Sequence, residues 1–271
     1  MSTRRPRKPR ARQVTAEHPS VPLDPARLRE FSRRLRAWFR RNGRDLPWRR
    51  TRDPYRVLVS ELMLQQTQVS RVVDYYERFL TRFPTLSHVA EAPQRSVLSQ
   101  WSGLGYYARA RNLHSLARHV TRDGGSIPSD PDALRGLPGI GAYTAGAVAS
   151  FAYERRAPLV DTNVARVLHR AFTPAIDPKS TRGQRAGWEV AERLLPRTGR
   201  ASWAHNQALM ELGALICTAR VRHCDRCPVS ALCATRVAEA GSATPKDRFA
   251  RVAGANELPR GVSPAGVARD R

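Results

Sequence analysis

Residues 137–146 read LPGIGAYTAG, and the reading of this stretch decides the organisation of the chain. Leu-Pro followed by two glycines one residue apart describes a tight turn, and the small residues behind it open a helix. Gly139 and Gly141 supply the backbone freedom that a hairpin between two helices requires, and they leave N–H groups open to close approach by a phosphate. The helix that follows the turn adds the positive end of its dipole to the same spot. Pro-Gly and Gly-x-Gly also make ordinary loops. Tyr143, a bulky phenol placed where the turn opens, must face something supplied by the rest of the chain.

Outward from this turn the pattern is helical. Asp24-Pro25 reads as an N-cap followed by proline at the first helical position, and Leu28, Phe31, Leu35 and Phe39 then recur at helical spacing. Val69, Val72, Val73, Tyr76, Phe79 and Leu80 mark a second helix, and Leu113, Leu116, Ala117 and Val120 a third. Pro84, Pro93, Pro128, Pro131 and Pro174 punctuate the chain at intervals suited to short helices, with no strand alternation and no internal repeat. The expected fold class is all-α. Residues 1–20 carry basic residues and prolines with little to bury and are expected to form a disordered basic arm. Residues 241–271 are expected to form a flexible tail, leaving 21–240 as the folded core.

Lys and Arg number 47 against 23 acidic residues, a formal charge of +24. Such an excess fits a polyanion partner, nucleic acid above all, or alternatively an arginine-rich solvated surface with two basic tails. No run of about 18 apolar residues occurs and no apolar segment follows the basic N-terminus, so no membrane partner and a cytoplasmic location are expected.

All four cysteines fall within CTARVRHCDRCPVSALC, as Cys217, Cys224, Cys227 and Cys233 in a C-x6-C-x2-C-x5-C pattern. Four thiols in one short segment point to a single metal centre; zinc and an iron-sulfur cluster both accept four thiolates, and spacing alone leans towards zinc. Two carboxylates also stand out. Asp161 follows an apolar run and opens a new helix, the position of an N-cap. Glu61 interrupts YRVLVSELMLQQTQ between Leu58, Leu62, Met63 and Leu64, so its carboxyl is a candidate for desolvation and a raised pKa, although a surface position on its helix is the ordinary alternative. A protonated Glu and an ionised Asp are the pair that breaks a glycosidic bond, one protonating the leaving group and one stabilising the cationic sugar.

LPGIGAYTAGA with Asp161, the cysteine cluster, SELMLQQTQV and GLGYYARARNLH together resemble the adenine DNA glycosylases of the helix-hairpin-helix superfamily, relatives of endonuclease III, across about residues 28–235. The resemblance implies two helical lobes: a six-helix barrel over about 45–155 carrying the hairpin 137–142, and a cluster lobe built from about 21–44 plus 156–240. It implies a 4Fe-4S cluster in place of zinc, with Arg220, Arg222 and His223 as basic residues between its first two ligands. It also implies a monomer acting on double-stranded DNA with adenine opposite 8-oxoguanine or guanine, and hence a place on the nucleoid.

The same resemblance assigns residues. Glu61 would protonate adenine N7, Asp161 would stabilise the oxocarbenium-like sugar, and Asn163 would orient the aspartate or a water. Arg44, Trp48, Arg49 and Gln207 would line the pocket for the extruded base. Gln65, Gln66, Gly139 and Gly141 would meet DNA, with Tyr106 as a wedge beside the lesion. Where bifunctional relatives carry a lysine that forms a Schiff base, this chain has Tyr143, which implies base release without strand cleavage and a hydroxyl hydrogen-bonded near Asp161 and the attacking water. His205 stands where the family has Phe, either as a packed neutral histidine or as a change to the pocket. Most family members continue into a second, lesion-reading domain, whereas 38 residues follow Cys233 here. A thymine glycosylase acting on G·T mismatches is the nearest rival; a non-catalytic iron-sulfur DNA-binding protein is another, against which the intact Glu61 and Asp161 speak.

Overall fold

The computed structural model describes residues 23–122 and 124–242. The basic arm, and the tail beyond residue 242, lie outside the described residues. Twelve α-helices occur within them: α1 Pro25–Asn42, α2 Pro54–Leu64, α3 Val69–Arg82, α4 Leu86–Glu91, α5 Gln94–Gln100, α6 Ala108–Arg122, α7 Pro131–Arg135, α8 Ala142–Phe151, α9 Thr162–Phe172, α10 Thr181–Leu194, α11 Gly199–Leu215 and α12 Ala234–Ser242. One isolated bridge, Cys217 to Arg222, is the nearest approach to a strand among the described residues. The fold is all-α. Because α12 runs to Ser242, the folded part extends two residues into the segment expected to be tail. No helix among the described residues is long and apolar enough to cross a membrane.

The helices begin where short polar side chains can satisfy their first free N–H groups. Asp24 accepts from the amides of Ala26 and Arg27 to start α1, Asp53 from Arg56 to start α2, Asp130 from Asp132 and Ala133 to start α7, and Asp161 from Val164 to start α9. Proline follows the cap in α1, α2 and α7, where its fixed φ suits the first turn and its missing N–H costs nothing.

Helix α8 is apolar on every side and buried from Thr144 to Phe151, which makes it the central element. It packs against α2, α7 and α11. Although α1 comes first in the chain, it packs on α10 and α11, and Phe31 lies 4.9 Å from Phe172 of α9. Full burial of Phe31 and Leu35 on this face stabilises the return by roughly 1.5–3 kcal/mol each. Helices α9 and α11 also pack together, and Gly213 makes this possible, because a Cβ there would stand 2.8 Å from the Cβ of Asn163. The first turn of α9 therefore reaches the space between α2, α8 and α11.

Candidate active site

A cleft of about 700 Å³ opens where α2, the turn before α8, the start of α9 and the middle of α11 meet. Twelve residues singled out from the sequence line it together: Arg44, Trp48, Arg49, Glu61, Gln65, Gln66, Gly139, Gly141, Tyr143, Asp161, Asn163 and Gln207. That volume lies within the range of sites that enclose a small organic group such as one nucleobase. Tyr106 and the four cysteines lie outside the lining.

Glu61 is 3% exposed and projects from the last two turns of α2. Burial pushes its carboxyl up to about 7; a hydrogen bond from the Tyr143 hydroxyl works against that, and the charge of Asp161 adds to it. The Tyr143 hydroxyl donates to Glu61 Oε2 at 2.7 Å and reaches Met210 Sδ at 3.8 Å. The hydroxyl is thus bonded to Glu61, in a place where the charge of Asp161 also reaches the phenol. Tyr143 sits in the first turn of α8, and the packing of α8 against α2 carries its ring towards Glu61.

Asp161 is an N-cap and a cleft residue at once. One carboxylate oxygen accepts from the amide of Val164 at 2.7 Å, and the other accepts from Asn163 Nδ2 at 3.0 Å. The Asn163 side-chain oxygen Oδ1 in turn accepts from Arg166 Nη2 at 2.8 Å, and Arg166 Nε donates to the Cys217 backbone carbonyl, also at 2.8 Å. The aspartate is thus held by a hydrogen-bonded chain that ends at the first cysteine.

Arg44 and Arg49 do not present free guanidinium groups. Both bind Glu211, a fully buried residue of α11 that sequence reading missed. Arg44 donates from Nε and Nη2 at 2.8 and 2.9 Å, and Arg49 from Nη2 at 2.8 Å, while Arg49 Nε takes the Gln207 side-chain oxygen at 2.8 Å. Burial alone would raise the Glu211 carboxyl, but these two guanidinium groups outweigh it and hold it down to about 2. Gln207 is left with its NH₂ group to offer. Trp48 packs edge-on against Tyr76 and forms floor rather than a free contact. No lysine lines the cleft; of Lys8, Lys179 and Lys246 only Lys179 is among the described residues, in the turn before α10.

Gly139 has φ +75°, and a Cβ there would collide with the side chain of Asn112. Gly141 does not need such freedom, since its φ of −88° suits any residue; it is the N-cap of α8, exposed, with open space where a Cβ would stand. Gln66 and Tyr106 both adopt positive φ, 55° and 49°, and the Tyr106 ring is 59% exposed rather than packed in the core. His205 is fully buried between α11 and α1, bonded through Nδ1 to Ser32 Oγ at 2.9 Å, and burial followed by the charge of Arg36 pushes its pKa down to about 3. It is packed and neutral and does not line the cleft.

Cys217, Cys224, Cys227 and Cys233 are free thiols that line one cavity with Arg170, whose Nη1 lies 3.2 Å from Cys217 Sγ. Among the described residues no three His, Cys, Asp or Glu side chains are set around one point as a single ion would need. Of the basic residues between the first two cysteines, Arg222 is paired with Glu239.

Residues 59–193 match the HhH-GPD superfamily base excision DNA repair protein model. The chain is 45% identical over 230 residues to an adenine DNA glycosylase of Mycolicibacterium smegmatis, covering 84% of this chain and 76% of that protein. It is 41% identical over 240 residues to the adenine DNA glycosylase of Rattus norvegicus, covering 82% of this chain but 46% of the relative, so it spans less than half of that protein's length. A solved thermostable thymine-DNA glycosylase superposes with a TM-score of 0.72 at 32% identity, over 79% of this chain and 98% of the other. The helical fold, the turn before α8 and this degree of identity agree, and the chain belongs to the HhH-GPD superfamily of base excision DNA repair proteins.

Proposed function

We propose that this protein is a monofunctional DNA glycosylase that extrudes adenine from double-stranded DNA, opposite 8-oxoguanine or guanine, and hydrolyses its glycosidic bond. The observation that carries the reading is Glu61: a desolvated carboxyl with its pKa near neutrality, sharing a cleft with Asp161. Extrusion is required because the bond cannot be reached inside the base stack. Glu61 gives its proton to adenine N7, the C1′–N9 electron pair leaves with the base, and adenine departs neutral. Asp161, fixed by Val164 N–H and Asn163, stabilises the cationic sugar until water adds at C1′ and gives up a proton, which returns Glu61 to its acid form. Tyr143 holds Glu61 in place, and with no amine in the lining no Schiff base forms. The exposed amides at Gly139 and Gly141 and the N-terminus of α8 take a backbone phosphate, and Gln65, Gln66 and Tyr106 meet the duplex. Gln207 offers its NH₂ to the base, and the Glu211 clamp on Arg44 and Arg49 shapes the pocket wall.

Cys217, Cys224, Cys227 and Cys233 would hold a 4Fe-4S cluster, which when bound cross-links this segment of the chain. Four thiols that line one cavity are the donor set a four-iron cluster takes, and the family likeness favours that cluster over the zinc favoured by spacing. Partition into a barrel lobe and a cluster lobe, a monomeric state and a place on the nucleoid in the cytoplasm belong to the same reading.

Thymine removal from G·T mismatches is the second reading, favoured by the likeness to the thymine-DNA glycosylase. Incubation with duplexes bearing A opposite 8-oxoguanine, A opposite G and T opposite G, with chromatography of the released base, decides between them. Free adenine from the first two is expected. Thymine alone would establish the second reading, and tight binding with no free base would overturn both.

A further inference from the structure

Arg109 of α6 is 6% exposed, yet no carboxylate meets it among the described residues. Its guanidinium is satisfied by backbone oxygens and, at 3.3 Å, by the Thr67 hydroxyl instead. Nη1 donates to the carbonyls of Leu62, Met63 and Gln65 at 2.8, 2.7 and 2.7 Å; Nη2 donates to Leu104 and Gly105 at 3.3 and 3.0 Å; and Nε reaches Tyr106 at 3.4 Å. The first two acceptors belong to the last turn of α2, where carbonyls lack helical partners and a cation is favoured. Glu61 stands directly before them.

The other acceptors lie in two loops that are far apart in sequence and contain Gln66 and Tyr106. Both residues are non-glycine and both sit in left-handed backbone, φ 55° and 49°. Such conformations are strained and persist only where their surroundings over-determine them. The same side chain grips both loops, and its Cζ lies 5.5 Å from the Trp101 ring centroid and 5.6 Å from that of Tyr106. Lysine, with a compact ammonium, cannot bridge the two loops and the end of α2 as a planar fork does.

We propose that Arg109 is a positioning residue that locks Gln66 and Tyr106 in their strained geometry before DNA binds and fixes that pair relative to Glu61. Free DNA then meets a preset tip, and the duplex does not have to order two loops while it is being opened. The functional half rests on the reading that Tyr106 enters the duplex; the structural half does not.

The test has two arms. Native-state hydrogen exchange on the unmodified protein alone should show the amides of residues 64–67 and 104–107 opening as one unit, and Arg109→Lys should speed exchange in both while leaving α9 to α11 unchanged. Independent opening of the two loops in the unmodified protein overturns the proposal, even if the variant does not fold. In single-turnover release of adenine opposite 8-oxoguanine, Arg109→Lys should lose at least about tenfold, but much less in a Tyr106→Ala background, because both changes act through one element. Equal losses in the two backgrounds would mean a merely structural role and would also overturn it. Failure of the unmodified protein to release any base would count against the proposed function, with exchange still deciding whether Arg109 sets the loops.

Discussion

Glu61→Gln removes one ionisable proton from the cleft while keeping an oxygen that can accept the Tyr143 hydroxyl, so packing changes little. The Glu61 carboxyl sits at about 7 against an ordinary 4.5, chiefly through burial. A folded pKa above the unfolded one means that the native state holds the proton more tightly. The stability this group contributes is fully present below about pH 4.5 and is lost as pH rises through about 7. The rise from 4.5 to about 7, at about 1.4 kcal/mol for each tenfold change in proton affinity, costs between about 3 and 4 kcal/mol once Glu61 is fully ionised. Urea unfolding should therefore show a stability difference between the glutamine variant and the unmodified protein that moves in the variant's favour by about 3 kcal/mol between pH 4 and pH 8. Base release should fall at least about a hundredfold, the scale of a lost general acid, with DNA affinity retained. In the unmodified enzyme release should decline about tenfold per pH unit above about 7, and that limb should vanish in the variant. A variant that releases base within a few-fold of the parent, with no pH-dependent difference in stability, would refute both the buried acid and its role.

Tyr143→Phe removes the hydrogen bond that opposes the effect of burial on Glu61, so the alkaline limb should move to higher pH, with release lowered by about 1 kcal/mol or somewhat more; a pH–rate profile reads both. Borohydride should trap no covalent complex with the unmodified protein, and Tyr143→Lys, placing a primary amine in the cleft, should introduce trapping and strand cleavage on a gel. The purified protein should be brown with broad absorbance near about 400 nm, and Cys227→Ser should lose iron and stability together; an anaerobic preparation with stoichiometric zinc and no iron would exclude the cluster. Glu211→Gln should cost about 3–5 kcal/mol in urea unfolding, because Arg49 stays buried with its charge unpaired.

The helices were legible because their determinants are local. Asp24, Pro25 and the Leu28–Phe31–Leu35 stripe lie within a few turns of one another, and α1 begins where they place it. Glu61 was legible for a different reason: a charge between Leu58 and Leu62 has few solvated positions open to it. The direction of the Tyr143 hydroxyl was not, because it depends on α8 meeting α2, a contact between segments about 80 residues apart. Arg44 and Arg49 line the cleft as expected, but the partner that claims them, Glu211, was not legible, since it is more than 160 residues away. Arg109 left no trace in composition. One arginine among so many carries no contrast, and its burial depends on carbonyls that every residue type supplies equally.

Glu61 and Glu211 sharpen the point, because the chain writes them alike. One lies in SELML and the other in LMELG, each a single acid in an apolar helix segment, and both are buried at the edge of the same cleft. Their states are opposed: one is pushed up to about 7 and the other held down to about 2. Desolvation acts in the same direction on both, so the partners decide. Glu211 receives two guanidinium groups in direct hydrogen bonds, whereas Glu61 receives one phenol and feels the charge of Asp161. Arg49 also bears on Glu61, and the lowering by its charge is the weakest of the four influences there. In Glu211→Gln the same arginine faces Glu61 uncompensated. The alkaline limb of base release should then move to lower pH, opposite to its movement in Tyr143→Phe. If both variants shift the limb the same way, Arg49 is not acting on Glu61 through its charge, and the separation of one ionised clamp from one protonated acid would have to rest on burial alone.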